Sequence, residues 1–305
     1  MQRYYKLFAS IGIIIFIYLL LNIDLKILLT CFKQVNIFYF LISLLFIIPA
    51  IFVKSVKWLL IVEKEDRISL WKATIAWIAG FGAGLITPGR VGDFLRAKFL
   101  KSKIGKGLLT VFIDRVNDVF VLFLFGIFGV FTLFSNFFNL GYLFILFFVL
   151  FLIGIFVLKT EKLIRKIGKP IYRFFIPKKF KEKIGENFNI FYRNLKKLEK
   201  RKIFLNFLLT ILTWFICFIQ YFFLSLAFGL NLSYFSICLI TPILLLVQLI
   251  PISISGIGTR EGTSVLLLSN FGIPPELAIA FSLGILIEDY ILGGIGLVCW
   301  FKIKE

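Results

Sequence analysis

Long apolar runs separated by short basic stretches occupy the whole chain. Runs at 7–23, 37–53, 119–134 and 142–158 approach the roughly 20 apolar residues that cross about 30 Å of hydrocarbon. They predict membrane spans. The first run carries no small-residue cleavage site and leads into further apolar segments, as expected of a retained first span rather than a removed signal.

The distribution of Lys and Arg then predicts orientation. The segment 159–202 holds 16 Lys and Arg against four Glu, whereas the connections 135–140 and 229–236 hold no charge. Short basic connections stay cytoplasmic, so the first faces the cytoplasm and the other two face outward. The stretch 54–72, with five Lys and Arg, and both termini, with Arg3, Lys6, Lys302 and Lys304, are placed inside by the same rule. Residues 90–106 hold six more basic residues, and a full crossing through 73–87 would carry them outside. A re-entrant hairpin resolves the conflict: the chain enters from the cytoplasm, turns near Pro88-Gly89 and returns along 91–104. Residues 236–271 then form a second hairpin entering from outside and turning at 251–258, and the last span, 275–301, brings the C-terminus back.

The predicted fold is thus an all-α polytopic membrane protein with about six full spans and two re-entrant helical hairpins, in one transmembrane domain over 1–305. Its order of span, span, hairpin, span occurs twice, over 1–134 and 140–301, with the copies entering from opposite sides. Such four-plus-four inverted repeats with broken helices recur in secondary transporters. Only Leu85-Ile86-Thr87-Pro88-Gly89 against Leu249-Ile250-Pro251 links the halves in sequence.

Composition narrows the function classes. The chain is 60% hydrophobic with 40 Phe, more apolar matter than one soluble core can bury. Its net charge of +19 sits beside apolar runs, as topology signals and contacts to anionic lipid do, and not in a nucleic-acid-binding face. There is no His, and Cys31, Cys217, Cys238 and Cys299 are scattered, so no metal or disulfide framework is expected. No Ser or Cys sits beside an evident base and no nucleotide-binding glycine motif occurs, so neither an enzyme nor an ATP-driven pump is expected, and no cofactor. Within the basic segment, Phe180, Ile184, Phe188, Phe191, Leu195 and Leu198 recur at spacings of three and four. They predict an amphipathic helix lying in the membrane interface.

Ionisable groups within apolar segments cost a few kcal/mol each, so those present are functional candidates. The first constellation is Pro88-Gly89-Arg90-Val91-Gly92-Asp93-Phe94-Leu95-Arg96. Gly89 and Gly92 permit a sharp turn, the new helix start favours an anion, and Arg90 and Arg96 suit phosphate; Asp93 and Arg96 also have the i, i+3 spacing of a structural pair. The second is Asp114-Arg115-Val116-Asn117-Asp118 at the start of a span, where the acids either cap the helix, neutralise Arg90 or Arg96, or bind a coupling cation. The third runs from Pro251 through Ser253, Ser255, Gly256, Gly258, Arg260 and Glu261 to Gly262, with Glu288 and Asp289 as candidate partners of Arg260 and Glu261. Gly293, Gly294 and Gly296 read as a close helix-packing face.

Taken together, Thr87 to Arg96, Asp114-Arg115 with Asp118, and Pro251 with Ser255 to Gly262 resemble the transmembrane-region family of lysylphosphatidylglycerol synthases, a flippase-like family. Members usually carry Glu where this chain has Asp93 and Asp114. The resemblance implies movement of lipids between leaflets of a cell inner membrane, of aminoacyl-phosphatidylglycerol or polyprenyl-phosphate-linked type. It further implies a stand-alone flippase region: the chain stops at Glu305 without the cytosolic synthase domain, so a separate synthase or glycosyltransferase is an expected partner. On this reading Arg90, Arg96 and Arg260 contact phosphate while Asp93, Asp114 and Glu261 hold them. Two other classes remain: a membrane-embedded transferase or transferase subunit acting on a lipid-linked sugar, and a scaffold docking a cytosolic synthase through its basic loop.

Overall fold

The structure is a computed structural model that describes residues 2–101, 103–133, 138–160, 163 and 178–303. Much of the basic segment 159–202 and part of the connection 135–140 lie outside the described residues. Among the described residues all regular structure is helical.

Helix α1 (Gln2–Leu21) turns through 94° into the short α2 (Leu25–Lys33), where Asp24 accepts from the backbone N–H groups of Lys26 and Ile27 and so caps the new helix. Asn36 caps α3 (Ile37–Ile61) in the same way, through Phe38 and Tyr39. Then come α4 (Leu70–Leu85), a 3₁₀ segment (Pro88–Phe99), α5 (Ile104–Leu133), α6 (Phe138–Lys159) and α7 (Lys178–Leu195). The second part of the chain supplies α8 (Lys200–Ala227), α9 (Tyr234–Gln248), α10 (Thr259–Leu268) and α11 (Pro275–Ile303).

Five of the described helices, α3, α5, α6, α8 and α11, are long and apolar enough to cross a membrane, and the bent pair α1–α2 makes up to six. Only 6% of the apolar stretch of α6 is buried within the protein. A helix apolar on every side requires a solvent of hydrocarbon. The protein is therefore a multi-pass membrane protein.

Both predicted breaks occur, and they shape the interior. Thr87 accepts the Gly92 N–H at 2.7 Å and donates to the Ala83 carbonyl, so the chain doubles back with residue 92 against 83 and residue 96 against 80. The return leg is 3₁₀ rather than the expected α-helix, with Gly89 and Arg90 at φ of 60° and 55°. One backbone N–H of the anion-receptive segment expected after Pro88, that of Gly92, is taken by the Thr87 hydroxyl. In the second hairpin Ser255, Gly256 and Gly258 take positive φ between α9 and α10. Arg90 and Ser255 are thus non-glycine residues in the left-handed region, a strain that costs on the order of 1–3 kcal/mol each and persists only where surrounding contacts fix it.

The two tips touch. Ser255 donates to the Leu85 carbonyl at 2.6 Å, satisfying one of the α4 C-terminal acceptors that a helix end leaves open. A Cβ placed on Gly89 falls 3.5 Å from that of Pro251. The first hairpin packs on α11, the second on α5, and α3 packs along α8 in the most extensive contact of the fold. Gly82 meets the Gly293 backbone and Gly296 that of Ile78, so the glycines of α11 serve the close packing expected of them; Gly294 has no neighbour there.

The C-terminal part of the amphipathic stripe packs on the protein itself. Phe191, Leu195 and Leu198 pack on Ile61, Leu109 and Ile113, and Lys103 pairs with Glu186 at 2.7 Å, so α7 docks across the start of α5. That ion pair holds the exposed Glu186 carboxyl below its ordinary value. The side chains of Phe180 and Ile184 lie outside the described residues.

Candidate functional site

Three polar clusters occupy the interior, built from α3, α5, α8, α10, α11 and the 3₁₀ segment. The first joins three cations to three carboxylates. Lys57 on α3 donates to Asp118 at 2.5 Å and lies 3.1 Å from Asp114. Arg96 reaches the other oxygen of Asp114 at 2.5 Å with its guanidinium over the Trp58 ring. Arg115 lies 3.4 Å from Asp93 and 3.8 Å from Asp118. Asn206 receives the Asn117 amide, donates to the Lys57 carbonyl, and its amide nitrogen lies 3.4 Å from Asp114. The cluster is charge-balanced and enclosed, with Lys57 and Asp114 both at 0% exposure. Removing one member of such a network strands a charge and costs about 3–5 kcal/mol.

Sequence reasoning had placed Asp114 to Asp118 at a span's start, as a possible cap. In fact α5 begins at Ile104, so these acids stand about three turns inside it, too deep for capping. The i, i+3 pairing of Asp93 with Arg96 does not form; each turns to the neighbouring helix instead. The expected neutralisation of Arg96 by Asp114 does form.

The second cluster belongs to α10. Arg260 lies 3.1 Å from Glu261 and donates to Ser282 at 3.0 Å, and Ser282 donates to Glu261. The other Glu261 oxygen accepts the Gly258 N–H at 2.6 Å, placing a carboxylate on the positive end of α10. Ser253 and Thr259 share a hydrogen bond. Glu288 and Asp289 are not partners of Arg260 and Glu261, as had been expected, because α11 presents Ser282 at that level.

The third cluster joins the 3₁₀ segment, α3, α8 and α11. Arg90 stacks on Phe81 and pairs with Asp289 at 3.3 Å. Glu288 receives Ser43 at 2.5 Å and Gln220 at 2.8 Å. A cavity of about 40 Å³ opens here, lined among others by Lys54, Trp77, Gln220, Tyr221, Glu288 and Asp289. The Lys54 ammonium stands 5.0 Å from the ring centres of both Trp77 and Trp214. No described carboxylate lies within ion-pairing distance of it. Lys54 is half-buried, and such cation–π contacts contribute about 0.5–2 kcal/mol. Both indole N–H groups are also buried without a partner among the described residues.

Along α3, Ser43, Lys54 and Lys57 distribute these contacts over about 21 Å of helix, most of the hydrocarbon thickness. Beside them a groove of about 500 Å³ runs between α5, α6 and the second hairpin, walled by Phe123, Phe147, Ile250, Pro251 and Leu266. It ends at the tip where Pro251 meets Gly89.

Residues 6–295 match the family model described as the lysylphosphatidylglycerol synthase TM region. The chain belongs to that family. A comparison with curated proteins gave no match. For this member of the synthase TM-region family, the motif residues Arg96, Asp93, Asp114, Arg115 and Asp118 gather in one cluster, Arg260 with Glu261 in another, and Arg90 stands in the third beside Asp289, which lies outside the motifs. Gly262 meets only Leu19 and stands apart from the clusters. Lys54, Lys57, Ser43, Asn206, Gln220, Trp77 and Trp214 escaped sequence reasoning. A signal existed for the two lysines: Val53-Lys54-Ser55-Val56-Lys57-Trp58 continues into Leu59-Leu60-Ile61, an apolar run that reads as helix past both charges rather than as a basic loop.

Proposed function

We propose that this protein moves an anionic or zwitterionic lipid headgroup, of the aminoacyl-phosphatidylglycerol or polyprenyl-phosphate-linked type, between membrane leaflets. The observation that carries this reading is the file of buried polar groups along α3, closed by two abutting hairpin tips and adjoined by an apolar groove. Phe147, Ile250 and Leu266 of the groove are exposed on the outer surface, so the chains of a lipid enter sideways while its headgroup follows the polar file. Lipid handling fits the family. The exchange of packing partners, each hairpin on the last long helix of the other half, supports an inverted repeat in which the halves rock against each other. The termini and the basic segment face the cytoplasm of a cell inner membrane on this reading, where a separate synthase or glycosyltransferase supplies the lipid.

A metal-dependent transferase needs free carboxylates reaching solvent. Asp114 and Asp118 face Lys57, Arg96 and Arg115 instead, which favours transport.

The tip contact provides the test. The Cβ separation between Gly89 and Pro251 lies within the about 3.5–4.5 Å that a disulfide spans. In a variant with the four native cysteines replaced by Ala, Gly89→Cys with Pro251→Cys is expected to cross-link on oxidation. Transfer of fluorescent short-chain phosphatidylglycerol across reconstituted vesicles then falls at least tenfold and recovers on reduction. Transfer by the uncross-linked protein no faster than in protein-free vesicles would refute the reading.

A further inference from the structure

We infer that Glu288 is a proton-binding site within the membrane, which holds a proton in the closed arrangement and exchanges it with water as the hairpins part. The inference deepens the transport reading by naming the ion whose movement accompanies the lipid, and it rests on that reading for the coupling alone.

Hydrogen counting carries it. The Ser43 hydroxyl stands 2.5 Å from Oε1 of Glu288 and 2.9 Å from the backbone carbonyl of Gln220. A hydroxyl has one proton to give, and an ionised carboxylate has none. With Glu288 ionised, one of these two oxygen pairs holds no hydrogen. With Glu288 as the carboxylic acid every group is served: Oε1–H donates to Ser43, Ser43 donates to the carbonyl, and Oε2 accepts the Gln220 amide at 2.8 Å.

The charge environment points the same way. Glu288 lies midway along α11 at 1% exposure, and no described cation stands within ion-pairing distance of it. The other buried carboxylates among the described residues, Asp66, Asp93, Asp114, Asp118 and Glu261, each pair with Lys or Arg. An ionisable group enclosed in a span without such a partner is a mark of a proton relay. The titratable groups sharing its cavity are Lys54 of α3, Cys217 and Tyr221 of α8 and Asp289 beside it, with Arg90 of the 3₁₀ segment held on Asp289. Arg260 and Glu261 of α10 meet α11 at Ser282, about 9 Å farther along the helix. The cavity of about 40 Å³ has room for water, which accepts the proton when it leaves. Asp289 joins the two hairpins, since Arg90 at 3.3 Å and the Gln248 amide at 3.5 Å reach the same oxygen. Loss of the Glu288 proton sets a second negative charge beside that junction and changes what holds the first hairpin.

Infrared spectroscopy of the full chain in a maltoside detergent, which has no carbonyl of its own, reads the proton through the carbonyl stretch of a carboxylic acid. One such band is expected at neutral pH; it disappears reversibly as the pH is raised, is missing from Glu288→Gln and returns at a shifted frequency in Glu288→Asp. Glu288→Gln reproduces the hydrogen bonds of the neutral acid, so it should resist denaturing detergent as well as the parent. No band at neutral pH, a band unchanged in Glu288→Gln, one that persists until the protein unfolds, or a markedly less stable Glu288→Gln overturns the site. Loss of the band on adding Na⁺ at fixed pH overturns the proton as the ion bound. Vesicle transfer judges the coupling: a gradient of about one pH unit, which shifts the ratio of acid to carboxylate up to about tenfold, should change transfer by the parent about threefold or more and transfer by Glu288→Gln not at all. A parent indifferent to the gradient overturns the coupling. Absence of transfer by the parent refutes transport and the coupling with it, while the infrared band decides the proton site on its own.

Discussion

Replacing Lys57 by Met is expected to destabilise the protein by about 3–5 kcal/mol, enough to abolish most folded material after solubilisation. Lys57 faces two carboxylates at once, Asp114 and Asp118, and neither can reach water: they are 0% and 4% exposed. Its loss turns a balanced set of three cations and three anions into one with a surplus negative charge in a medium that does not solvate it. Restoring balance should restore much of the fold. The double variant Lys57→Met with Asp118→Asn is therefore expected to recover stability relative to the single one, with an interaction energy on the order of 1–3 kcal/mol. Unfolding of the detergent-purified proteins by a graded denaturing detergent measures it. A single variant as stable as the parent would mean that the network carries no net constraint.

The second large effect belongs to Gly92. A Cβ there would lie far inside contact distance of the Ala83 carbonyl carbon and oxygen, and that obstacle is backbone, which no rotamer change relieves. Gly92→Ala must push the return leg away from α4, and the leg carries Asp93 and Arg96 out of reach of Arg115 and Asp114. The cost is expected to exceed the about 1–3 kcal/mol of ordinary overpacking, and vesicle transfer should fall with it. Gly154→Ala supplies the contrast: nothing lies within 4 Å of its Cβ position, so the change should be neutral or stabilise α6 by up to about 1 kcal/mol. Similar melting of the two variants would contradict the close approach of the hairpin legs.

Much of this architecture was readable because lipid imposes simple rules. Length and apolarity located the long helices, and Pro88-Gly89 and Pro251 through Gly258 located the breaks, because a residue without a backbone N–H beside one tolerating positive φ ends a helix wherever it occurs. The pairing of charges was not readable in the same way. Asp93 and Arg96 have helical pair spacing, yet α5 offers each an opposite charge, Arg115 and Asp114, and the tertiary pairing replaced the local one. Asp289 turned to Arg90 and not to Arg260 because the level of α11 beside Arg260 carries Ser282.

The linear pattern by itself determined that the chain lives in a bilayer, where it crosses or turns back, and which family motifs it carries, since each follows from local composition, spacing and backbone chemistry. Only the tertiary structure decided which buried charge answers which. It assembled Lys57 with Asp114 and Asp118, and it left Lys54 between two tryptophans instead of beside a carboxylate. Those outcomes depend on helix rotation and depth across residues as much as 199 positions apart, as in Arg90 and Asp289, and Coulomb energy falls off with distances that no local sequence window contains.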